Sequence, residues 1–389
     1  NDLTSHGPVE LGGTIQTAGN QSYLGAATLI NTTEIQAAGG SFEGGLVGAG
    51  NDLTLNINNT ITIADGSGVN NLTSVGETVL TGTINTTGSQ TYQSNVTIEG
   101  DVELNAVGDI SFSDEVFGNQ NGSAGNPDLT INTQADTTFG GTVSNLATLT
   151  TDAGGSTIAK ADITTTGNQT YNDLFVLNTS LTLTGGNASF TGGIDGDGND
   201  LTLNFTGDAT LDGGSTNISG INNLTSLGGV AANGTITTSG TQSFEGNATL
   251  IGNTTLVGPS ATLAGTFDGQ GHDLTIDYTS PTTISSSGGN ISNFTSVGDV
   301  LLNTTDFETI GSQTFEGNVT LTGDTMLTGT SGSFANGLDG DNHSLTLNYF
   351  NTTTIDGNSI FSDLNDLTSH GPVELGGTIQ TAGNQSYLG

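Results

Sequence analysis

The side chains best suited to chemistry form a short acidic run, Asp-Gly-Asp-Gly-Asn-Asp, at residues 195–200. Ca²⁺ binds oxygen ligands, and carboxylates at short alternating spacing, separated by glycine, are the ingredients of a Ca²⁺ loop. Related runs begin at Asp268 and Asp339. Asp, Asn and Gly are also what a tight turn before a strand requires, so both interpretations stay open. The candidate Ca²⁺ ligands are Asp195, Asp197, Asp200, Asp268, Asp339 and Asp341.

Histidine offers little support for a metal or catalytic site. The four histidines are His6, His272, His343 and His370, and none has a second His or a Cys at ligand spacing. No Ser-His-Asp set can be nominated either, because any His finds partners by chance among so many Ser and Asp residues. The chain has no cysteine, which excludes disulfides and thiolate metal sites. The sequence therefore predicts a protein that is not an enzyme and has no cofactor besides Ca²⁺.

Asn-x-Ser/Thr sequons are unusually frequent. There are 23 of them, where random placement would give about ten, and this excess suggests N-glycosylation. Strand alternation alone also generates the sequon, because it places polar residues at i and i+2 on the outer face. The candidate glycosylation sites are Asn31, Asn95, Asn178, Asn253, Asn318 and Asn351.

Charge restricts the partners. The chain has 38 acidic residues, a single Lys160 and no Arg, giving a formal net charge of −37. Without cations to contact phosphates, we expect no binding to nucleic acid or to anionic membranes. No apolar run is long enough to span a bilayer, so we expect no membrane insertion in this segment. We expect any signal or anchor to lie outside it.

The chain is built from repeats. The run at 19–25 returns with small changes near residues 88, 167, 240 and 311, and then identically at 383–389. Each copy follows a landmark of the form Asn-x-Leu-Thr-Ser, as at Leu3, Leu72 and Leu224. Residues 365–389 repeat residues 1–25, so the larger period is 364 residues (365 minus 1). These landmarks divide the chain into 1–69, 70–143, 144–221, 222–291 and 292–364, with 365–389 opening the next period.

The local pattern predicts short stacked strands. In residues 200–204, Leu201 and Leu203 alternate with polar residues, as in a half-buried strand. Strand starts of the Leu-Thr type recur about every 24 residues, which predicts fifteen turns per period. We therefore expect an all-β fold, a right-handed parallel β-helix running as one continuous solenoid over residues 1–389.

Aromatic residues recur at the same places in successive turns. Tyr23, for example, is followed by Phe42 about one predicted turn later. The pattern predicts a ladder of stacked rings in a thin core, while outward-facing rings would instead form a platform for sugars. Two irregular turns, the run 117–126 and the segment around Lys160, could protrude as recognition features, although solenoids also tolerate insertions at turns.

The runs at 163–173 and 198–204 resemble the repeats of filamentous-haemagglutinin-like giant surface adhesins, and this likeness of repeat style extends over essentially the whole chain. The near absence of Lys and Arg and the density of sequons are similar to archaeal adhesin-like surface proteins. The resemblance implies a right-handed β-helix shaft exported to the cell surface.

Together these features predict an extracellular structural fibre or adhesin shaft at the cell surface. We expect the partners to be further copies of the repeat, joined head to tail, and neighbouring filaments bridged by Ca²⁺. Glycans and other cell-surface material are further candidate partners. The alternatives are a β-helix polysaccharide-active enzyme and an ice-binding surface protein.

Overall fold

The computed structural model describes residues 1–119, 125–285 and 287–389, which form two compact units, Asn1–Asp197 and Gly198–Gly389. Both units are built from short parallel strands, which confirms the predicted all-β parallel solenoid. In the part of the chain that the structure describes, no helix has the length and apolarity needed to cross a membrane. Residues 120–124 of the irregular turn at 117–126 lie outside the described residues.

The first unit alternates strands with turns of a few residues. Its strands are Leu3–Ser5, Val9–Gln16, Gln21–Tyr23, Ala27–Ala37, Gly40–Phe42, Leu46–Val47, Leu53–Ile57, Thr60–Ile63, Gly66–Val69, Leu72–Ser74, Glu77–Thr86, Gln90–Tyr92, Val96–Ala106, Ile110–Phe112, Val116–Asn119, Leu129–Thr133, Thr137–Phe139, Val143–Leu146, Leu149–Thr151, Ser156–Ala159, Ile163–Thr165, Gln169–Tyr171, Leu174–Leu177, Leu181–Gly185, Ala188–Phe190 and Ile194–Asp195.

The second unit continues the same pattern. Its strands are Leu201–Phe205, Asp208–Ile221, Leu224–Ser226, Gly229–Thr238, Thr241–Phe244, Ala248–Gly258, Ser260–Leu263, Phe267–Asp268, Leu274–Tyr278, Thr282–Ile284, Gly288–Gly289, Phe294–Ser296, Val300–Leu302, Asp306–Glu308, Ser312–Phe315, Val319–Leu321, Thr325–Gly329, Ser331–Phe334, Leu338–Asp339, Leu345–Tyr349, Thr353–Ile355, Ile360–Leu364, Leu367–Ser369, Val373–Leu375, Thr378–Thr381 and Gln385–Tyr387.

Each strand pairs with the strand about one turn later, and most strands alternate a buried residue with a more exposed one. Leu53–Ile57 shows the pattern, since Leu53, Leu55 and Ile57 are buried while Thr54 is half-buried and Asn56 is exposed. Period-two alternation of this kind is what a strand with one core-facing side requires. The apolar core of each unit therefore runs through the centre of its stacked turns.

The turns are shorter and more numerous than predicted. They contain roughly 20 residues each, and about 19 of them occur in the chain. The prediction of 24 residues was wrong because it assumed that successive Leu-Thr starts lie one full turn apart. One turn consists of three strand segments. Between Leu3 and Ala27 the chain instead passes through four segments, because the strand Val9–Gln16 bends and contributes one segment to each of two faces.

The landmark strands lie in different stacks. In the first unit, Leu3 pairs with Gln21, whereas Leu72 pairs with Leu53 and Gln90. In the third repeat the landmark position is occupied by Leu149, which pairs with the next glutamine, Gln169. These three pairs belong to three separate strand stacks.

The second unit repeats this arrangement. Leu224 pairs with Gln242, Phe294 with Gln313 and Leu367 with Gln385, again in three separate stacks. Each repeat of about seventy-three residues therefore starts on a new face of its own unit. The landmark and the glutamine that follows it keep the same pairing on every face.

The aromatic residues form the predicted core ladder. Tyr23 and Phe42 are buried and stacked, with ring centroids 4.9 Å apart. Tyr92 stacks on Phe112 at 5.3 Å. Other stacked pairs are Phe112 with Phe139, Tyr171 with Phe190, and Phe315 with Phe334. Because these rings face the core, the alternative prediction that they form a sugar-binding platform is wrong for them.

Candidate functional site

The six predicted Ca²⁺ ligands are divided between the two units. Asp195 and Asp197 end the first unit, while Asp200, Asp268, Asp339 and Asp341 belong to the second. In the first unit, the backbone N–H of Asp197 donates to Asp195 Oδ1 at 3.1 Å. Asp339 Oδ1 accepts in the same way from the N–H of Asp341, at 3.0 Å. These carboxylates therefore hold tight turns closed.

The backbone of these turns explains their composition. Asp197, Gln270 and Asp341 occupy the left-handed region, with φ of 47°, 48° and 44°. A glycine follows Asp197 and Gln270, also at positive φ. Asp, Asn and Gly tolerate this conformation better than other residues do, so the turn interpretation accounts for the acidic runs.

Asp200 and Asp273 show a second arrangement, in which a carboxylate binds the next turn of the second unit. Asp200 Oδ1 accepts from the backbone N–H of Asn223 at 3.0 Å and from its Nδ2 at 2.9 Å. These hydrogen bonds, led by the backbone bond from Asn223, lower the pKa of Asp200. Asp273 accepts from the N–H and Nδ2 of Asn293 at 3.0 and 2.9 Å. The ionised forms of both carboxylates are thereby favoured.

The second unit brings none of the predicted metal ligands into a shared cage. Within residues 1–119, 125–285 and 287–389, no three His, Asp or Glu side chains lie close enough together to hold one metal ion. His343 Nδ1 lies 3.7 Å from Asp324 Oδ1, as an isolated pair near the surface. The Ca²⁺ site stays a prediction, and bridging between separate molecules is the form of it that this geometry leaves open.

Buried glutamines form the most regular polar feature of the molecule. Gln21, Gln90, Gln169, Gln242 and Gln313 have no exposed surface. In each, Nε2 donates to a main-chain carbonyl six residues earlier and to a carbonyl about one turn later; for Gln90 these are Ile84 at 3.3 Å and Asn105 at 3.0 Å. Each glutamine thus ties neighbouring turns together inside the core.

A tyrosine hydroxyl completes every one of these networks. In the first unit it comes from the residue two positions later: Tyr23 donates to Gln21 Oε1 at 2.7 Å, and Tyr92 and Tyr171 repeat the bond at 2.9 Å. In the second unit the residue at that position is phenylalanine. There, Tyr278 donates to Gln242 and Tyr349 to Gln313, both at 2.7 Å and from 36 residues later.

The burial of these glutamines was not predicted from the sequence, although a signal existed. Gln21 lies two residues before Tyr23 in the same strand, so period-two alternation places both side chains on one side. Once Tyr23 is assigned to the core, Gln21 must share it and needs partners there. The polar type of the residue concealed its position.

A second buried polar cluster lies in the irregular segment that precedes Asp173. The Asp173 carboxylate accepts hydrogen bonds from Thr151 Oγ1 at 3.0 Å and from Thr157 Oγ1 at 2.9 Å, and the residue is 3% exposed. Burial, the largest cause, raises its pKa to about 6, and the negative charge of Asp152 adds to the rise. This carboxylate is held in the core without a cation beside it in the described structure.

The described surface also holds a shallow groove of about 500 Å³ in the first unit. Its walls include the carboxylates of Glu77, Glu99 and Glu115 beside the partly exposed ring of Phe117. Glu77 Oε2 accepts from Thr60 Oγ1 at 3.2 Å. The groove therefore places three carboxylates and one aromatic ring around a concave surface.

The six predicted glycosylation sites all lie at exposed positions. Asn31, Asn253 and Asn351 precede a threonine or threonine pair at a bend between two strand stacks, and Asn178 lies at a similar bend. Asn318 differs, because its Nδ2 donates to Asp299 Oδ1 and its Oδ1 accepts from the N–H of Gly337, both at 3.2 Å.

No protein-family model matches the chain, and neither the curated proteins nor the solved structures contain a match to it.

Proposed function

We propose that this chain is part of an extracellular structural fibre or adhesin shaft, made of tandem solenoid repeats at the cell surface. The observation that carries the proposal is the rotation of the landmarks. In each unit, three successive repeats start in three separate strand stacks and keep the same landmark-to-glutamine pairing. A molecule built in this way repeats its surface on every face, as a shaft requires, and reserves no face for one site.

Head-to-tail continuation is the first partner relation of this proposal, and the repetition of residues 1–25 at 365–389 supports it. The strand Gln385–Tyr387, near the end of the chain, pairs only with Leu367–Ser369 among the described strands. Gln385 and Tyr387 are partly or fully exposed there, whereas Gln21 and Tyr23 are buried. Residues 365–389 repeat residues 1–25, so the turn that would follow them in a tandem array covers this pair.

Lateral association between filaments, with Ca²⁺ bridging the surface carboxylates, belongs to the same proposal. A net charge of −37 makes neighbouring filaments repel at low ionic strength. Divalent cations between carboxylates such as Asp195 and Asp339 would remove that barrier. N-glycans are the third element, since the sequons lie at exposed bends.

A polysaccharide-active enzyme is the second candidate, and the groove beside Glu77 and Glu115 favours it. Glycoside hydrolysis uses a pair of carboxylates, one of which needs a raised pKa to act as the acid. The ice-binding alternative would use outward threonines, and nothing in the described surface adds to it.

Electron microscopy of material assembled from tandem copies tests the proposal. We expect long thin filaments whose length grows in proportion to the number of 364-residue periods. Short discrete particles that cleave a polysaccharide would favour the enzyme, and the variant Glu115→Gln would then abolish cleavage. Because Glu115 is an exposed side chain, neither the fibre nor the enzyme proposal predicts that Glu115→Gln removes filaments. Loss of filaments in this variant would therefore contradict both proposals.

A further inference from the structure

Two structural classes stand at the extremes of the sequon asparagines, and others, such as Asn95 and Asn253, accept a single backbone hydrogen bond. In the first class, the carboxamide joins three successive turns in what we call a turn ladder. Asn71 Nδ2 donates to Asp52 Oδ1 at 2.9 Å, and Asn71 Oδ1 accepts from the backbone N–H of Ser89 at 3.0 Å. Both ends of the side chain are therefore used by the fold.

The second unit repeats the turn ladder twice. Asn223 donates to Asp200 at 2.9 Å and accepts from the N–H of Thr241 at 2.8 Å. Asn293 donates to Asp273 at 2.9 Å and accepts from the N–H of Ser312 at 3.0 Å. In every ladder, the nitrogen that a glycan would occupy points to the carboxylate of the preceding turn.

In the second class, the carboxamide makes no hydrogen bond to any described residue. Asn31, Asn178 and Asn351 belong to this class, and all three are exposed. Asn178 directly follows the buried Leu177, whereas Asn31 and Asn351 each lie at a bend two residues after a buried residue, Leu29 and Tyr349. We call these three the corner asparagines. A sugar on their Nδ2 would displace no hydrogen bond of the fold.

Two corner asparagines also follow an apolar side chain that the fold leaves in solvent. Ile30 precedes Asn31 and is 53% exposed, and Phe350 precedes Asn351 and is 86% exposed. Ile251, two residues before Asn253, is 46% exposed. A first sugar on Asn31 or Asn351 would therefore lie beside an exposed apolar side chain, Ile30 or Phe350, that its own apolar face can contact.

The spacing of these sites leaves room for the glycans. Thr254 lies one residue after Asn253, and Thr353 lies two residues after Asn351. Both threonines belong to one strand stack, in which the residues between them are Leu274, Phe294, Gln313 and Gly332. Five turns separate them, or about 24 Å at about 4.8 Å per turn. A sugar on Asn351 would therefore not overlap the bend at Asn253, which is not a corner asparagine because its Oδ1 accepts from the backbone N–H of Asp273 at 3.0 Å.

We propose that N-linked glycans occupy the corner asparagines Asn31, Asn178 and Asn351, that the first sugar covers Ile30 and Phe350, and that the ladder asparagines Asn71, Asn223 and Asn293 stay unmodified in the folded chain. Thr33 and Thr353, the sequon threonines of two corner sites, are buried. Attachment therefore precedes folding, and the fold then selects which modified chains persist. Asn318, bonded at both ends, belongs with the ladder class.

The proposal rests on the proposed extracellular function, because sequons are used only on exported chains. The test is glycopeptide mass spectrometry of the full chain, secreted in folded form from eukaryotic cells with an N-glycosylation pathway. We expect occupancy at the corner asparagines at least about tenfold above that at the ladder asparagines, because two hydrogen bonds oppose modification at a ladder. Equal occupancy, or occupancy mainly at the ladders, would overturn the proposal.

Matched variants separate glycan attachment from folding. Asn351→Gln should remove the mass of one glycan and leave the melting temperature of the unglycosylated chain unchanged. Asn293→Gln should lower that melting temperature without changing the glycan mass. If Asn293→Gln does not fold, Thr295→Val removes the same sequon and keeps the ladder. Loss of glycan mass in Thr295→Val would contradict the proposal.

The covering of Phe350 has its own measurement. Enzymatic removal of the glycans should increase the binding of a hydrophobic dye to the parent chain, and this increase should be smaller in Phe350→Ala. Identical increases would refute the covering role. Filament formation by unglycosylated chains is scored separately by microscopy, so failure of the glycan pattern and failure of the fibre proposal remain distinguishable.

Discussion

Replacing Tyr278 by phenylalanine tests whether one tyrosine hydroxyl completes each repeat. The hydroxyl donates to Gln242 Oε1 at 2.7 Å, and Gln242 has no exposed surface. Tyr278→Phe leaves this buried acceptor without its donor, which costs about 1–3 kcal/mol. The three Nε2 bonds of Gln242, to Ile236, Thr238 and Val257, stay in place and should keep the side chain in position.

The second substitution restores the hydroxyl from the other side. Phe244 lies two residues after Gln242, where Tyr23 lies after Gln21. Phe244→Tyr alone adds a hydroxyl to a full core and should destabilise the chain by about 1–3 kcal/mol. Combined with Tyr278→Phe, it supplies the missing donor. We expect a favourable coupling of about 1–3 kcal/mol between the two substitutions.

Stability is best measured locally, because a repeat protein does not unfold as one two-state unit. Native-state hydrogen exchange of the amides around Gln242 gives the free energy of local opening. In the 389-residue chain, Tyr387→Phe is the matched control: its hydroxyl makes the same bond to Gln385 at 3.1 Å, but both residues are exposed there. The control should lose less than about 0.5 kcal/mol. Additive effects in the double variant would refute the reasoning.

Three further predictions concern protons and cations. Because burial raises the pKa of Asp173 from 3.8 to about 6, the folded chain keeps a proton that the unfolded chain releases. Stability should therefore fall as pH rises from about 4 to 6. In thermal melts, Asp173→Asn should remove this pH dependence and stabilise the chain at neutral pH by up to about 3 kcal/mol. Burial also raises the pKa of Tyr23 to about 12, and it raises the pKa values of Tyr92, Tyr171, Tyr278 and Tyr349 well above their ordinary value of 10. Tyrosinate absorbance should therefore stay low above pH 10 until the chain unfolds, and stability should fall as pH rises there; early titration of most tyrosines would contradict their burial. Chelation of divalent cations should separate filament bundles seen by microscopy while circular dichroism stays unchanged, and bundles that persist in chelator would count against Ca²⁺ bridging.

Composition and alternation were enough to predict the strands and the ladder of rings. Tyr23 and Phe42 face the core because the residues beside them in the strand are polar and must face outward. The acidic runs could not be resolved in the same way. The sequence around Asp195 would be the same whether its carboxylate binds Ca²⁺ or accepts a hydrogen bond from the N–H of Asp197. Only the position of the turn distinguishes the Ca²⁺ loop from the tight turn.

The buried carboxylate of Asp173 illustrates a different limit. The residue lies two positions after the core residue Tyr171, which places it inward, yet four of the other five residues two positions beyond the repeated aromatic are glycine, at Gly25, Gly246, Gly317 and Gly389. What makes a carboxylate tolerable there is the pair of hydroxyls from Thr151 and Thr157. Those partners come from strands 16 and 22 residues away, so local patterns do not reveal them.

The size of a turn could not be predicted from the sequence, because some strands cross from one face to the next, and this crossing bears on function. In residues 1–69 the structure has nine strands, two of which, Val9–Gln16 and Ala27–Ala37, each cross two faces, so the repeat has nine plus two, or eleven, segments. Eleven is not a multiple of three, and the next repeat must start on another face. A repeat of twelve segments would have placed every landmark on the same face, and that face would have differed from the other two. Duplication of an eleven-segment repeat instead places the copies of each side chain on all the faces. A shaft needs this property, whereas a protein with a single catalytic face would not use it.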